Sequence, residues 1–124
     1  DKLKLNDSVK ITGVLKKEVW HKISEDSDIF INTTNIDNTP VSVMESMALG
    51  LPVVSTNVGG LPYLIKNKVD GLLVNKNNDK LMCDAIKFLL TNNDLAIKIA
   101  NNARIKAESF SWNVMKDKWL KTLE

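Results

Sequence analysis

One cysteine, Cys83, and one histidine, His21, stand among 124 residues, and each solitude closes off a chemistry. A lone cysteine forms no internal disulfide and anchors no thiolate metal cluster, which is compatible with a reducing cytoplasm. His21 falls on the polar side, or at the border, of an expected helix, has no visible partner for a triad or metal site, and reads as a surface histidine. Charge of one sign is also scarce: seventeen Lys and Arg against fifteen acids leave +2. The lysines are scattered along expected helices rather than gathered in a block, so composition makes no case for nucleic acid. No apolar run approaches the roughly 20 residues that span a bilayer, and no signal peptide opens the chain. With 44% hydrophobic and 26% charged residues, the chain reads as one globular domain with a single core. It begins with Asp1 rather than Met, as a piece of something longer would.

What is present is an alternation of short apolar runs with amphipathic stretches. Val9-Lys10-Ile11-Thr12-Gly13-Val14 alternates apolar and other residues and stops at a glycine, as a strand leading into a loop does. Lys16 to Ile23 follows as a helix, with Val19, Trp20 and Ile23 on one face and Lys16, Lys17, Glu18 and Lys22 on the other. Asp28 to Asn32 is almost continuously apolar, the pattern of a parallel strand buried on both faces, and Pro52–Ser55 and Leu72–Val74 repeat it. Leu61 to Lys66 reads as a short helix with Pro62 in its first turn, before a turn at Val69-Asp70-Gly71. A longer helix opens at Asn78 or Asp79, with Leu81, Met82, Ala85, Ile86, Leu89 and Leu90 as its core stripe. Asn93 or Asp94 caps the next, with Leu95, Ile99 and Ala103 inward, and Ser111 opens a last one. There Trp112, Met115, Trp119 and Leu123 share a face that reads as packing. Repeated strand, helix, strand predicts the α/β class: a parallel sheet with right-handed crossovers and flanking helices.

The densest stretch runs from Asp37 to Gly60. Thr39 is placed to cap a helix whose first residue is Pro40, where a missing N–H costs nothing, and Gly50 and Pro52 end it. Asp37 precedes this helix, while Glu45 lies inside it, roughly 7.5 Å along the axis from Pro40. Between the acids, free amides and the positive dipole end make a natural seat for phosphate. Ligands of open α/β sheets bind beyond the carboxyl ends of strands, which places a site at residues 33 to 39. A nucleoside diphosphate seated there presents its ribose to Glu45 and its other substituent to Asp37, the layout of an activated sugar. On the acids alone, Asp37 as a helix cap and Glu45 as a solvated helix residue is the plainer reading.

With its neighbours the stretch is more specific. Asp37, Pro40, Glu45, Met47, Ala48, Gly50, Pro52 and Val53, followed by Val58-Gly59-Gly60-Leu61-Pro62, resemble the signature of the retaining glycosyltransferases of GT-B fold, family four, also called glycosyl transferases group 1. Asp37 is one methylene shorter than the family's usual Glu, Asn38-Thr39 replace a small and an apolar residue, and Tyr63 stands where an acid is common. The resemblance runs from about Val9 to the C-terminus and includes Ser109-Phe110-Ser111-Trp112. It implies that residues 1–124 are a partial C-terminal, nucleotide-sugar-binding domain with a Rossmann-like sheet, matching the third through sixth of six strand units. In the order 3-2-1-4-5-6 the two absent strands would lie between Val9–Gly13 and Asp28–Asn32, a gap of about 10 Å or more. The first absent unit carries the Arg and Lys that offset the diphosphate in the family. An N-terminal acceptor domain is absent too, and any peripheral membrane association would run through it.

The resemblance implies transfer of a sugar from a nucleotide-sugar donor to an acceptor, with retained anomeric configuration, no metal and no further cofactor. Asp37 would hold hydroxyls of the donor sugar and Glu45 those of the ribose. Backbone amides among Asn38, Thr39, Val41 and Ser42 would receive the diphosphate, and Gly13-Val14 would lie near the base. Gly59-Gly60 is a weaker candidate, since glycines there also make a tight turn. The expected setting is cytoplasmic, in bacterial surface polysaccharide or glycolipid synthesis, and the isolated chain is expected to be inactive. Two other functions fit the same residues: a non-catalytic nucleotide-binding or interaction module, and a GT-B nucleotide-sugar epimerase. Binding without turnover marks the first, and donor turnover without acceptor the second.

Overall fold

The computed structural model describes residue 5 and residues 7–123; residues 1–4, 6 and 124 of the expected domain lie outside them. In chain order the elements are α1 (Lys17–Glu25), β1 (Phe30–Asn32), α2 (Val41–Ala48), β2 (Val53–Thr56), α3 (Leu61–Leu64), β3 (Leu72–Val74), α4 (Asp79–Thr91), α5 (Asn93–Glu108) and α6 (Trp112–Leu123). The strands form one parallel sheet in the order β1-β2-β3, as expected. Phe30 lies opposite Val53, and Val54 opposite Leu72.

All four residues of β2 are buried, and the two-residue period of a strand sends Val53 and Val54 to opposite faces. Each face therefore has its own core, two where composition predicted one. On one, Val53 packs with Val43 and Met47 of α2, Leu61 and Leu64 of α3, and Ala103 of α5. On the other, Val54 and Leu72 meet Leu89 of α4 and Ile99 of α5. Helix α5 thus serves both cores, and a polar bolt holds it to the chain entering β3. The buried Asp70 carboxylate accepts from the Lys66 amide at 2.6 Å and from Lys106 Nζ at 3.2 Å, while Asn102 Nδ2 donates to the Val69 carbonyl at 2.8 Å. At α4, Asn78 is the cap: its side chain accepts from the Leu81 amide at 2.9 Å. Among the described residues no helix is long and apolar enough to cross a membrane.

Several departures from expectation fall where no described neighbour covers the residues. Val9–Gly13 forms no strand; Ile11 is 92% exposed, and with no strand beside it among the described residues the alternation has no ladder to join. β1 is not buried on both faces: Ile31 lies beside Val54 in register yet outside the cluster that covers Val54, and it is exposed. On α1, Val19 and Ile23 are exposed and Trp20 alone of the expected face is half-buried. The α4 stripe is narrower than expected, since Leu81 and Leu90 face water, and α5 begins after Asn92, which makes no side-chain cap bond. Helix α3 is a single turn, closed by the extended Ile65. The packing reading of the tryptophan pair also fails. Trp112 is 71% and Trp119 57% exposed, and α6 has no buried residue, because nothing among the described residues covers that face.

Candidate functional site

Beyond the carboxyl end of β1 the chain makes a loop that is tied down along its length. Buried Asn32 donates from Nδ2 to Ser55 Oγ at 3.1 Å and to Thr34 Oγ1 at 3.2 Å, and Thr56 Oγ1 donates to the Thr34 carbonyl. These bonds fasten the start of the loop to β2. Its far end is held by the glycines after β2. The Gly60 amide donates to the Asp37 carbonyl at 3.1 Å. A Cβ at Gly59 would stand 1.7 Å from the Asp37 carbonyl oxygen, and one at Gly60 would stand 1.6 Å from that of Asn38. Such distances are overlaps, so only glycine lets the two loops meet; Gly59 also has a left-handed φ of 52°. The pair that read as a tight turn or a weak ligand candidate is a clamp on the segment carrying Asp37. Two adjacent glycines directly after a buried strand were the available signal.

Helix α2 starts one residue later than expected. Pro40 occupies the cap position with an extended ψ of 117°, Thr39 makes no capping bond, and the first helical residue is Val41. A residue before proline is itself pushed toward extended backbone, which keeps Thr39 out of the turn. The Pro40 carbonyl accepts from Val43 at 3.1 Å and Met44 at 3.3 Å. The amides of Val41 and Ser42 therefore have no carbonyl one turn back and stay open at the positive end of the helix. At the other end Gly50 takes φ 80°, as expected of a residue that stops a helix.

Glu45 lies one turn inside α2, where α1 supplies two donors. Lys17 Nζ is 2.9 Å from Oε1, and Trp20 Nε1 is 3.3 Å from Oε2. The Lys17 hydrogen bond is the largest influence on the Glu45 carboxyl and lowers it below the ordinary glutamate value. Partial burial opposes this, while the Lys17 charge, the Trp20 N–H and the charge of His21 add to the lowering. Beside Glu45 a cleft of about 340 Å³ opens, lined by Gly13, Leu15, Lys17, Trp20, Phe30, Ser42 and Glu45.

The structure thus brings together Gly13, Ser42 and Glu45 of the expected site residues. Val14 does not line the cleft and its side chain is fully exposed. Asp37 is half-buried at the clamp, with Asn38 and Thr39 exposed between it and the helix. Lys17 and Trp20 were not singled out, since their link to Glu45 crosses from one helix to another. A larger cleft, about 510 Å³, lies past the ends of the strands between Thr33, Asn35, Thr56, Asn75 and the start of α4, and reaches neither acid.

Residues 1–106 match the family model described as glycosyl transferases group 1. Among curated relatives, the amylovoran biosynthesis glycosyltransferase AmsK of Erwinia amylovora is 30% identical over 111 residues, which cover 85% of this chain and 27% of that protein. Among solved structures, the sucrose-phosphate synthase of Thermosynechococcus elongatus has a TM-score of 0.87 over 98% of this chain and 31% of that one, at 22% identity. The Anabaena protein Alr3699/HepE, solved in complex with UDP-glucose, also has a TM-score of 0.87 at 22% identity, covering 98% of this chain and 34% of its own. At that identity the two structures establish the fold, and the Rossmann-like, GT-B reading stands. The chain spans about a quarter of the curated relative's length and a third of each solved chain.

Proposed function

Because the chain belongs to the group 1 glycosyltransferases, we propose that it is the donor-binding part of an enzyme that moves a sugar from a nucleotide-sugar donor to an acceptor with retention of anomeric configuration. The observation that carries this reading is the fixed series of loop, open helix end and ionised acid. The clamp of Gly59-Gly60 holds the backbone of Asp37 and Asn38, the amides of Val41 and Ser42 lie open, and Glu45 stands one turn further on with its carboxyl held low.

In this reading the diphosphate accepts from the open amides and sits against the positive helix end. The ribose hydroxyls donate to the lone pairs that remain on the two Glu45 oxygens beside the Lys17 and Trp20 bonds, and the base enters the cleft beside Gly13. Asp37, on the other side of the diphosphate, accepts from hydroxyls of the donor sugar. Held by a rigid clamp, it favours one sugar orientation as the glycosidic bond breaks, which is where orientation contributes most to rate. The leaving diphosphate is stabilised without a metal, by the helix end and by cations that the rest of the protein supplies. The acceptor is bound by parts of the protein outside this chain. The UDP-glucose held by the Anabaena protein supports the ligand class, and the amylovoran relative supports polysaccharide assembly as the setting.

The test is transfer by the full-length protein from UDP-, GDP- and ADP-sugars, with the product anomer read by NMR, in the presence and absence of EDTA. Retained configuration and indifference to EDTA are expected. An inverted product, or loss of transfer with EDTA, would overturn the mechanism. Nucleotide binding with no turnover would leave a binding module, and turnover of donor without acceptor would leave an epimerase.

A further inference from the structure

Glu45 has two partners of unequal firmness. Lys17 reaches Oε1 at 2.9 Å on a flexible stem, and its side chain is 68% exposed, so water and salt compete for it. Trp20 reaches Oε2 at 3.3 Å with a half-buried indole that packs on Phe30 of β1, ring centroids 5.9 Å apart and planes tilted by 56°. A ring packed against a strand has few rotamers left, so its single N–H points in one direction. A carboxylate offers about four lone-pair sites, and after these two bonds about two remain. Their direction is fixed once the carboxylate plane is fixed.

We propose that Trp20 is a positioning residue for nucleotide binding: its indole N–H sets the carboxylate plane of Glu45 so that the remaining lone pairs face the two vicinal hydroxyls of a ribose in the cleft shared with Gly13 and Ser42. The inference rests on the nucleotide-sugar reading and adds a selectivity to it. A cis pair of hydroxyls can donate to both free sites of one fixed carboxylate, whereas a deoxyribose offers one donor and a dideoxyribose none. The site therefore selects ribonucleoside diphosphates through the Trp20 and Glu45 pair. Lys17 keeps Glu45 charged without fixing its direction.

The experiment is calorimetry on the full-length protein. Uridine, guanosine and adenosine diphosphates are titrated first, and the one that binds is then compared with its 2′,3′-dideoxy counterpart. Wild type is expected to prefer the ribonucleotide by about 10- to 100-fold. Trp20→Phe keeps a ring on Phe30 and deletes the N–H. Its preference should shrink to about threefold or less, while affinity for the dideoxy compound stays within about twofold, since the diphosphate seat is untouched. In a Glu45→Gln background the same substitution should leave the preference unchanged, because Trp20 acts through Glu45. A Trp20→Phe protein with the wild-type preference overturns the inference and leaves the donor-site reading intact. Equal loss of both nucleotides also overturns it, since the indole would then only support the fold. A wild type that binds no nucleoside diphosphate, or shows no ribose preference, overturns the donor-site reading and the inference with it.

Discussion

Gly60→Ala perturbs the loop carrying Asp37 with the fewest side effects. Gly60 has φ −82°, so alanine meets no backbone strain there and the consequence is steric. The new Cβ would lie 1.6 Å from the Asn38 carbonyl oxygen and 2.6 Å from its carbon, whereas real Cβ contacts essentially begin at 3.0 Å. Either the loop or the glycine turn has to retreat by the difference, about 1.4 Å. Because the obstacle is backbone, no side-chain rotation relieves it. The retreat pulls on the Gly60 to Asp37 hydrogen bond and, in the proposed donor site, shifts the Asp37 side chain away from the sugar. Overpacking of this kind costs about 1–3 kcal/mol of stability, and a misplacement of about 1 Å costs on the order of 100-fold in rate. The full-length variant should therefore melt cooperatively while kcat/KM for transfer falls about 100-fold. Gly50→Ala is the control. Gly50 has φ 80° with open space around its missing Cβ, so alanine there should cost about 1–2 kcal/mol and leave transfer within about twofold. Wild-type transfer by Gly60→Ala would refute the clamp.

The Lys17 hydrogen bond lowers the Glu45 carboxyl, so the stability this pair contributes is complete above the ordinary glutamate value and is lost as pH falls through the lowered one. Lys17→Met should move the Glu45 titration, followed by carbon NMR of the carboxylate, upward toward that ordinary value; a titration that stays in place would remove Lys17 as the cause. Asp70→Ala leaves the Lys106 ammonium and the Lys66 amide without their acceptor and should destabilise the fold by roughly 2–4 kcal/mol in chemical denaturation. A loss under about 1 kcal/mol would show that the bolt between α5 and the chain entering β3 carries little.

What was legible in the sequence was whatever a residue's own chemistry decides. Val53, Val54 and Leu72 are buried on a parallel sheet because nothing else suits runs so apolar, and Gly50 and Asn78 end and start helices by their local conformations. What was not legible depends on a distant neighbour. Glycines at 59 and 60 announce a close approach without naming the Asp37 and Asn38 carbonyls that make it. Trp20 and Lys17 meet Glu45 from another helix, a pairing with no spacing signature, and helical period on α1 marked Trp20 only as an apolar face. Thr39 had the composition of a cap, but the extended ψ of Pro40 moved the first turn past it. Periodicity says which residues share a face and not whether the face has a cover. Hence Trp112 and Trp119 lie open, and the alternation of Val9–Gly13 finds no strand to pair with among the described residues.

The central claim is that Asp37 and Glu45 hold different parts of one donor. Calorimetric titration of the full-length wild type, Glu45→Gln and Asp37→Asn with the bare nucleoside diphosphate tests it most directly. Glu45→Gln replaces charge-assisted hydrogen bonds to the ribose worth roughly 1.5–3 kcal/mol, so affinity should fall about 10- to 150-fold. Asp37→Asn should bind the bare nucleotide as wild type does, since that ligand lacks the transferred sugar that Asp37 is proposed to meet. Equal weakening by the two substitutions, or full affinity in Glu45→Gln, would contradict the division of roles.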